Sequence, residues 1–167
     1  MENSKKILVT GATGFVGKHL VQALISKGHI VYALSRQRPS AFLEENGVKI
    51  ITGDITDPIS LPSDIKTIYH CAGVINKPKE MEKVNVLGTQ NIVEIAIKNN
   101  CKLIYLSSAG IVGETKEMIL DEHTACHPQN DYEISKYKAE QIVLAGIKRG
   151  LKAHILRPVT IFGVKES

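Results

Sequence analysis

A tyrosine and a lysine four residues apart stand at the start of a helical pattern. Tyr132 and Lys136 therefore share one face of the helix, one turn apart. A free phenol titrates near a pKa of about 10 and needs a nearby cation to ionise at neutral pH, which Lys136 can supply. Ser107 and Ser108 follow an earlier strand-like run and offer hydroxyls to a substrate oxygen. These residue types indicate proton transfer to or from a carbonyl or an alcohol.

Three glycines after the first strand-like run are spaced Gly-x-x-Gly-x-x-Gly. Gly11 permits a tight turn, Gly14 lets a diphosphate approach the main chain, and Gly17 lets helix and strand pack closely. The N–H groups at the helix start can then hold the anion. A Tyr-x-x-x-Lys spacing alone also occurs on ordinary surface helices, so the catalytic interpretation depends on this turn.

The residues after the glycines bear on which dinucleotide binds. An NAD site usually has an acid about 20 residues beyond the glycines, and an NADP site has an arginine for the 2′-phosphate. No acid occurs between Lys18 and Leu43, and the second strand-like run ends before Arg36, with Arg38 close by. We therefore expect NADP(H), with NAD as the alternative if Arg36 is only a solvated surface residue.

These candidate residues must be positioned by alternating strands and helices. Strands are predicted at Lys5–Thr10, Ile30–Ser35, Val48–Thr52, Thr67–Cys71, Leu103–Ser107 and Ala153–Leu156. Helices are predicted at Phe15–Lys27, Glu80–Asn99 and Tyr132–Arg149. Strands joined through helices pair in parallel through right-handed crossovers. The pattern predicts an α/β fold of the Rossmann type, a doubly wound parallel sheet of about six strands in three layers.

Composition narrows the class of protein. The 167 residues suit one domain, and 43% hydrophobic with 23% charged residues is typical of globular proteins. The net charge of +4 is spread along the chain, so we expect a small-molecule substrate and neither nucleic acid nor membrane as a partner. Three cysteines without a Cys-x-x-Cys pair fit reduced thiols. No apolar run suits a bilayer span or a signal peptide, so we expect a cytoplasmic protein.

One cluster offers a different chemistry. Asp121, His123, Cys126 and His127 lie close together in sequence and are possible metal ligands. Neither Asp121 nor any other residue stands at a spacing from His123, Cys126 and His127 that is typical of a fourth metal ligand, and we interpret the segment as a polar loop beside the active site.

The motifs together resemble the extended short-chain dehydrogenase/reductases, a family of epimerases, dehydratases and reductases. The glycine turn carries the first part of the resemblance. The others, in order, are Gly53–Asp57, His70–Gly73, Val84–Thr89, Leu106–Ala109, Tyr132–Lys136 and Leu156–Pro158. The resemblance covers essentially the whole chain.

The resemblance implies roles for particular residues. The catalytic set is Ser108, which holds the substrate oxygen, Tyr132, which exchanges its proton, and Lys136, which also binds the nicotinamide ribose. Asp54 receives the adenine amino group and Ile55 lies against the ring. The remaining cofactor contacts are Thr13, Phe15, Val16, Ala72, Gly73, Pro158 and Val159. Asn85 matches a family position that we interpret as structural, and Asp57 is expected to cap a helix before Pro58.

The resemblance also leaves functional alternatives. Family members are about twice this length, so the chain is expected to be a single dinucleotide-binding domain, residues 1–167, without their carboxyl-terminal substrate lobe. We favour an NADP(H)-dependent oxidoreductase acting on a small carbonyl or alcohol. An NAD-dependent nucleotide-sugar epimerase or dehydratase and a non-catalytic NADP(H)-binding regulatory module remain open. The family's dimer, formed through the helices at 80–99 and 132–149, is a further possibility.

Overall fold

The sheet has six parallel strands, as the sequence predicts. A computed structural model describes residues 4–36 and 40–163. The strands are β1 (Lys6–Thr10), β2 (Ile30–Ser35), β3 (Lys49–Thr52), β4 (Thr67–His70), β5 (Lys102–Leu106) and β6 (Ala153–Leu156). Their order across the sheet is β3-β2-β1-β4-β5-β6. The predicted Rossmann-type fold is confirmed.

The described residues include five α-helices. They are α1 (Phe15–Ser26), α2 (Ala41–Glu45), α3 (Pro78–Met81), α4 (Gly88–Lys98) and α5 (Asp131–Lys148). Among the residues that the structure describes, no helix has the length and apolar character to cross a membrane.

The core lies on both faces of the sheet. Ile7 and Val9 of β1 belong to one buried cluster, while Leu8 between them belongs to the other. Successive side chains of a strand point to opposite faces, so β1 is buried on both sides, as interior strands of parallel sheets are. The first cluster includes residues of α1, and the second includes residues of α4 and α5.

From β1 the chain continues outward to β2 and β3, and from β4 it continues outward on the other side to β5 and β6. The strand order therefore reverses between β1 and β4. Ligands of open α/β sheets bind in the crevice that this reversal opens at the carboxyl ends of the strands. The glycine turn follows β1, and the loop with Ala72 and Gly73 follows β4. The fold therefore brings both segments to the same crevice.

The predicted helix over 80–99 has a different internal geometry. It begins at Pro78, and residues Glu82–Leu87 form a π-helical stretch between α3 and α4. Asn85 of this stretch is buried and hydrogen bonds to the backbone of Val74, which holds the wider turn in place. Such π turns often occur at functional sites.

The expected helix cap at Asp57 is wrong. No helix follows it, and residues 58–66 reach β4 with one turn at 63–64 and otherwise without regular secondary structure. Pro58 and Pro62 explain the difference, because a second proline four residues after the first removes an N–H that a helix would need.

Candidate active site

Two pockets meet at the crevice between β1 and β4. The Arg36 pocket has a volume of about 500 Å³ and the Tyr132 pocket about 350 Å³. Both are lined by Gly11, Gly14, Ala72 and Gly73, so they form one continuous groove. All the residues predicted to be catalytic or to bind the cofactor line one of these two pockets. Arg38, which the sequence places close to Arg36, lies outside the described residues.

The glycine turn has no room for a side chain at Gly11 and Gly17 and little room at Gly14. Gly11 has a φ of +68°, and a Cβ on it would lie 2.7 Å from the backbone nitrogen of Ala72. A Cβ on Gly17 would lie 2.0 Å from the Gly11 carbonyl oxygen. Gly14 is the N-cap of α1, offers no side chain to the first N–H groups, and has its missing Cβ position 3.2 Å from the Gly11 oxygen. The helix start is thus a cradle open to an anion.

Ser108, Tyr132 and Lys136 come together in the Tyr132 pocket. Ser108 follows β5 and begins a 3₁₀ turn at Ala109–Val112, where its Oγ accepts the Gly110 N–H at 3.1 Å. Tyr132 lies in the first turn of α5, and Lys136 lies one turn further along. The parallel sheet explains the meeting, because the loop after β5 and the start of α5 lie at the same edge.

The sequence predicts that Lys136 favours ionisation of the Tyr132 phenol, but in the structure the Lys136 ammonium has other neighbours. Lys136 Nζ donates to the Leu106 carbonyl at 2.6 Å and lies 4.4 Å from the centre of the Tyr105 ring. Burial lowers the pKa of Lys136 to about 8. Burial also raises the pKa of Tyr132, and the hydrogen bond with Ser108 only partly opposes that rise. Tyr132 is therefore a protonated phenol at neutral pH, which suits it to donate a proton.

A buried carboxylate stands behind these residues. Glu140 is 1% exposed and accepts a hydrogen bond from the Ser107 hydroxyl at 2.7 Å. It also accepts from Arg157 Nε at 3.1 Å and from Arg157 Nη2 at 2.5 Å. The cluster ties the end of β5 and the end of β6 to α5. Sequence reasoning missed it, although Glu140 lies one turn beyond Lys136 and so on the same helix face.

Asn85 links α5 to the loop after β4. Its Oδ1 accepts the Val74 N–H at 2.8 Å, and its Nδ2 donates to the Ser135 hydroxyl at 2.9 Å. Ser135 in turn donates to the Tyr132 carbonyl at 2.7 Å. The structural interpretation of Asn85 fits these contacts.

His70, at the end of β4, connects β1 and α4 through buried hydrogen bonds to Thr10 and Thr89. The Thr89 hydroxyl donates to the Asn85 carbonyl at 2.6 Å, so its oxygen is left to accept from His70 Nε2 at 3.0 Å. His70 Nδ1 then accepts from the Thr10 hydroxyl at 2.7 Å. This arrangement fixes one neutral tautomer. The sequence offered no signal for it, since the partners are distant along the chain.

The stability of the fold is expected to depend on pH through His70. Burial lowers the pKa of His70 to about 3, whereas an unfolded histidine titrates near about 6.5. Below about pH 6 the unfolded chain binds a proton at this histidine and the folded chain does not. The free energy of unfolding therefore decreases as the pH is lowered, by up to about 1.4 kcal/mol per pH unit. Urea unfolding between pH 7 and 5 measures this slope. A His70→Gln protein should show a shallower one, and an equal slope in both proteins would contradict the assignment.

The Arg36 pocket has a polar end. Arg36 Nη1 lies 3.9 Å from Asp54 Oδ2, and Asp54 Oδ1 accepts the Thr56 N–H at 2.9 Å. That backbone hydrogen bond is the main cause that lowers the pKa of Asp54, with a smaller contribution from Arg36. Ile55 also lines the pocket, but it is buried and the Cβ of a residue at Gly88 would meet its Cδ1 at 2.7 Å, so its side chain mainly packs beneath α4.

Asp121, one of the possible metal ligands, hydrogen bonds within its own loop. Asp121 Oδ1 accepts the N–H groups of His123 and Thr124 at 2.9 and 3.0 Å, which closes a turn of the loop. Within residues 4–36 and 40–163, no group of three or more His, Cys, Asp or Glu side chains is placed to hold a metal ion.

Comparison with known proteins identifies the family. The profile of the NAD dependent epimerase/dehydratase family matches residues 7–167. The chain belongs to this family. The resemblance to the extended short-chain dehydrogenase/reductases is thereby confirmed.

Relatives in the epimerase/dehydratase family have several activities. The chain is 33% identical to sterol demethylase protein B of Methylococcus capsulatus, with 93% of this chain and 51% of that protein aligned. It is 31% identical to GDP-6-deoxy-D-mannose reductase of Pseudomonas aeruginosa, with 96% and 53% aligned. The structure of UDP-glucuronic acid 4-epimerase from Bacillus cereus in complex with NAD matches at a TM-score of 0.80 and 27% identity, over 95% of this chain and 57% of that one. The chain spans about half the length of these relatives.

Proposed function

We propose that this chain is an NADP(H)-dependent oxidoreductase that transfers a hydride between the nicotinamide and a small carbonyl or alcohol substrate. The observation that carries the proposal is the meeting of Ser108, Tyr132 and Lys136 in a pocket continuous with the glycine cradle. The groove supports a dinucleotide, because the residues that the two pockets share, Gly11, Gly14, Ala72 and Gly73, carry no side chain larger than a methyl group. When bound, a nicotinamide dinucleotide supplies the hydride or accepts it.

The chain's own residues perform the proton chemistry. In reduction, the carbonyl carbon gains a hydride, and the oxygen takes the proton of the Tyr132 hydroxyl. Ser108 holds that oxygen by a hydrogen bond while negative charge develops on it. The raised pKa of Tyr132 keeps the proton on the phenol at neutral pH, which favours this direction. Oxidation of an alcohol follows the same path in reverse.

Arg36 is proposed to bind the 2′-phosphate of NADP(H). Its side chain is 70% exposed and follows β2 at the polar end of the Arg36 pocket, where the acid typical of NAD sites is absent from positions 19–42. A planar guanidinium pairs well with a phosphate. Asp54 Oδ2 lies 3.9 Å from Arg36 Nη1, which is beyond hydrogen-bond distance.

Replacing Arg36 with Ala is expected to weaken NADPH binding by about ten- to hundredfold, the loss of one or two charge-assisted hydrogen bonds. NADH lacks the phosphate and should bind Arg36→Ala as it binds the parent. Quenching or enhancement of the reduced nicotinamide fluorescence measures both affinities. Lys98→Ala is the control, since Lys98 ends α4 shortly before β5 begins and lines neither pocket. Equal losses for NADPH and NADH would contradict the proposal.

A nucleotide-sugar epimerase or dehydratase is the second candidate. The family profile and the 4-epimerase structure in complex with NAD favour it. An enzyme of that kind recycles its cofactor and holds it tightly. Denaturing the purified protein and measuring released NAD distinguishes the two candidates, because the proposed reductase exchanges its cofactor and should release none in stoichiometric amount.

We also propose that two copies associate through the outer faces of α4 and α5. Large apolar side chains are exposed there or in the adjoining π-helical stretch: Leu87, Ile134, Leu144 and Ile147. Sedimentation equilibrium measures the assembly, and a monomer at micromolar concentration would oppose this proposal.

A further inference from the structure

We infer that Glu140 is a positioning residue of the proposed reaction: it holds the backbone on both sides of Ser108 and so directs the Ser108 hydroxyl toward the substrate oxygen. The inference rests on the proposed function, because it concerns how the serine of that reaction is held. Glu140 itself lines neither pocket and acts from behind the site. The observations that carry the inference are the contacts of Glu140 with the ends of β5 and β6.

The first contact fixes the residue before Ser108. Ser107 is buried, and its hydroxyl donates to Glu140 Oε2 at 2.7 Å. The Ser107 N–H donates to the Leu156 carbonyl at 2.7 Å, so both the side chain and the backbone of Ser107 are held. Ser108 follows in extended backbone, with a φ of −152° and a ψ of 139°. The place of the Ser108 hydroxyl therefore depends on the peptide that Ser107 fixes.

The second contact fixes the residue after Ser108. Glu140 accepts a hydrogen bond from Arg157 Nη2 at 2.5 Å, and Arg157 leads directly into Pro158. The Pro158 carbonyl accepts the Ala109 N–H at 2.9 Å. Ser108 thus lies between two residues that the same carboxylate restrains, one directly and one through the end of β6.

The energetics of this cluster favour a role in placement. Glu140 is 1% exposed, and a carboxylate removed from water is costly unless its partners compensate fully. Arg157 Nη1 is buried without a hydrogen-bond partner in the described structure, so the ion pair leaves one donor unsatisfied. An apolar pair of similar volume often stabilises a fold as well as a buried ion pair does. What the ion pair adds is direction, because charge-assisted hydrogen bonds fix the geometry of their partners.

A double-mutant cycle with Ser108 tests this inference, with NADPH as reductant and 4-nitrobenzaldehyde as the carbonyl probe. Ser108→Ala should lower kcat by about a hundredfold or more, because one hydrogen bond to the developing oxyanion is lost. Glu140→Gln should lower kcat by about tenfold and leave the affinity for NADPH within about twofold of the parent. In the Ser108→Ala background, Glu140→Gln should have almost no further effect, because the hydroxyl that Glu140 positions is gone. Equal factors in the two backgrounds would overturn the inference.

Two further variants separate placement from charge and from stability. Ser107→Ala keeps the charge of Glu140 and its ion pair with Arg157 but breaks the link to β5, so kcat should again fall by about tenfold. Val143→Ala is the matched control, because Val143 is buried on α5 one turn beyond Glu140 and takes no part in these hydrogen bonds. It should lower the stability of the fold and retain the parental kcat. A parental kcat in Ser107→Ala, or an equal loss in Val143→Ala, would contradict the inference.

A spectroscopic measurement needs neither cofactor nor turnover. The Ser108 hydroxyl hydrogen bonds with Tyr132, and the carbon-13 chemical shift of a tyrosine Cζ responds to a hydrogen bond at its hydroxyl. In protein labelled at this atom, the signal that Tyr132→Phe removes belongs to Tyr132. We expect Glu140→Gln and Ser107→Ala to move this signal in the same direction as Ser108→Ala, and Val143→Ala to leave it in place. An unmoved signal in Glu140→Gln would refute the positioning role, whatever the turnover. The expected shifts in a protein that reduces no carbonyl would instead refute the oxidoreductase and retain the link between Glu140 and Ser108.

Discussion

Tyr132→Phe should lower turnover by about two to four orders of magnitude, the usual effect of removing a positioned acid or base. The substitution removes only the hydroxyl, so the ring still packs at the start of α5. Affinity for NADPH should stay within about twofold of the parent, because the glycine cradle and Arg36 are untouched. Steady-state rates with a reactive carbonyl, together with a fluorescence titration of NADPH, measure the two quantities separately.

Tyr137→Phe is the matched control for this experiment. Tyr137 lies on the same helix and is also partly buried, but it lines neither pocket. It should retain parental rates. Comparable activity in Tyr132→Phe and the parent would show that the phenol does not exchange the substrate proton, and the catalytic proposal would be wrong.

Glu140→Ala should destabilise the fold by about 3–5 kcal/mol, the loss typical of a broken buried ion pair. The carboxylate accepts hydrogen bonds from both Ser107 and Arg157, and Arg157 Nη1 is buried without another hydrogen-bond partner in the described structure. Removing Glu140 leaves a guanidinium that is only partly solvated and a serine hydroxyl without its acceptor. Urea unfolding, followed by far-ultraviolet circular dichroism, measures the change in the free energy of unfolding.

Two comparisons make the Glu140 result interpretable. Glu94→Ala removes the partner of Arg149, but both of those side chains are exposed, so the loss of stability should be much smaller. Glu140→Gln preserves the shape and one acceptor and should lie between the parent and Glu140→Ala. If Glu94→Ala and Glu140→Ala lose the same stability, the buried cluster does not hold the strands together.

The fold and the ends of the groove were predictable from local patterns. Strand-like runs and helical spacing reported the six strands because each run carries its own periodicity. Gly11, Gly14 and Gly17 were predictable because they lie close together in the sequence and each position requires a residue without a Cβ. Tyr132 and Lys136 were placed together by the helical repeat alone.

What the sequence could not predict depends on contacts between distant segments. Ser107, Glu140 and Arg157 come from three different elements, and nothing local marks Glu140 as buried rather than solvated. The π-helical stretch was missed because apolar spacing in 80–99 fits an α-helix equally well. The orientation of the Lys136 side chain could not be predicted either, because its hydrogen bond to the Leu106 carbonyl depends on the path of β5 and not on the spacing between Lys136 and Tyr132.

A crystal structure of the protein with NADP⁺ tests the central claim most directly. We expect the diphosphate at the N–H groups that begin α1, the 2′-phosphate against Arg36, and the nicotinamide ring in the pocket that holds Ser108 and Tyr132. A nucleotide bound outside this groove, or one whose nicotinamide lies away from the Tyr132 hydroxyl, would contradict the account.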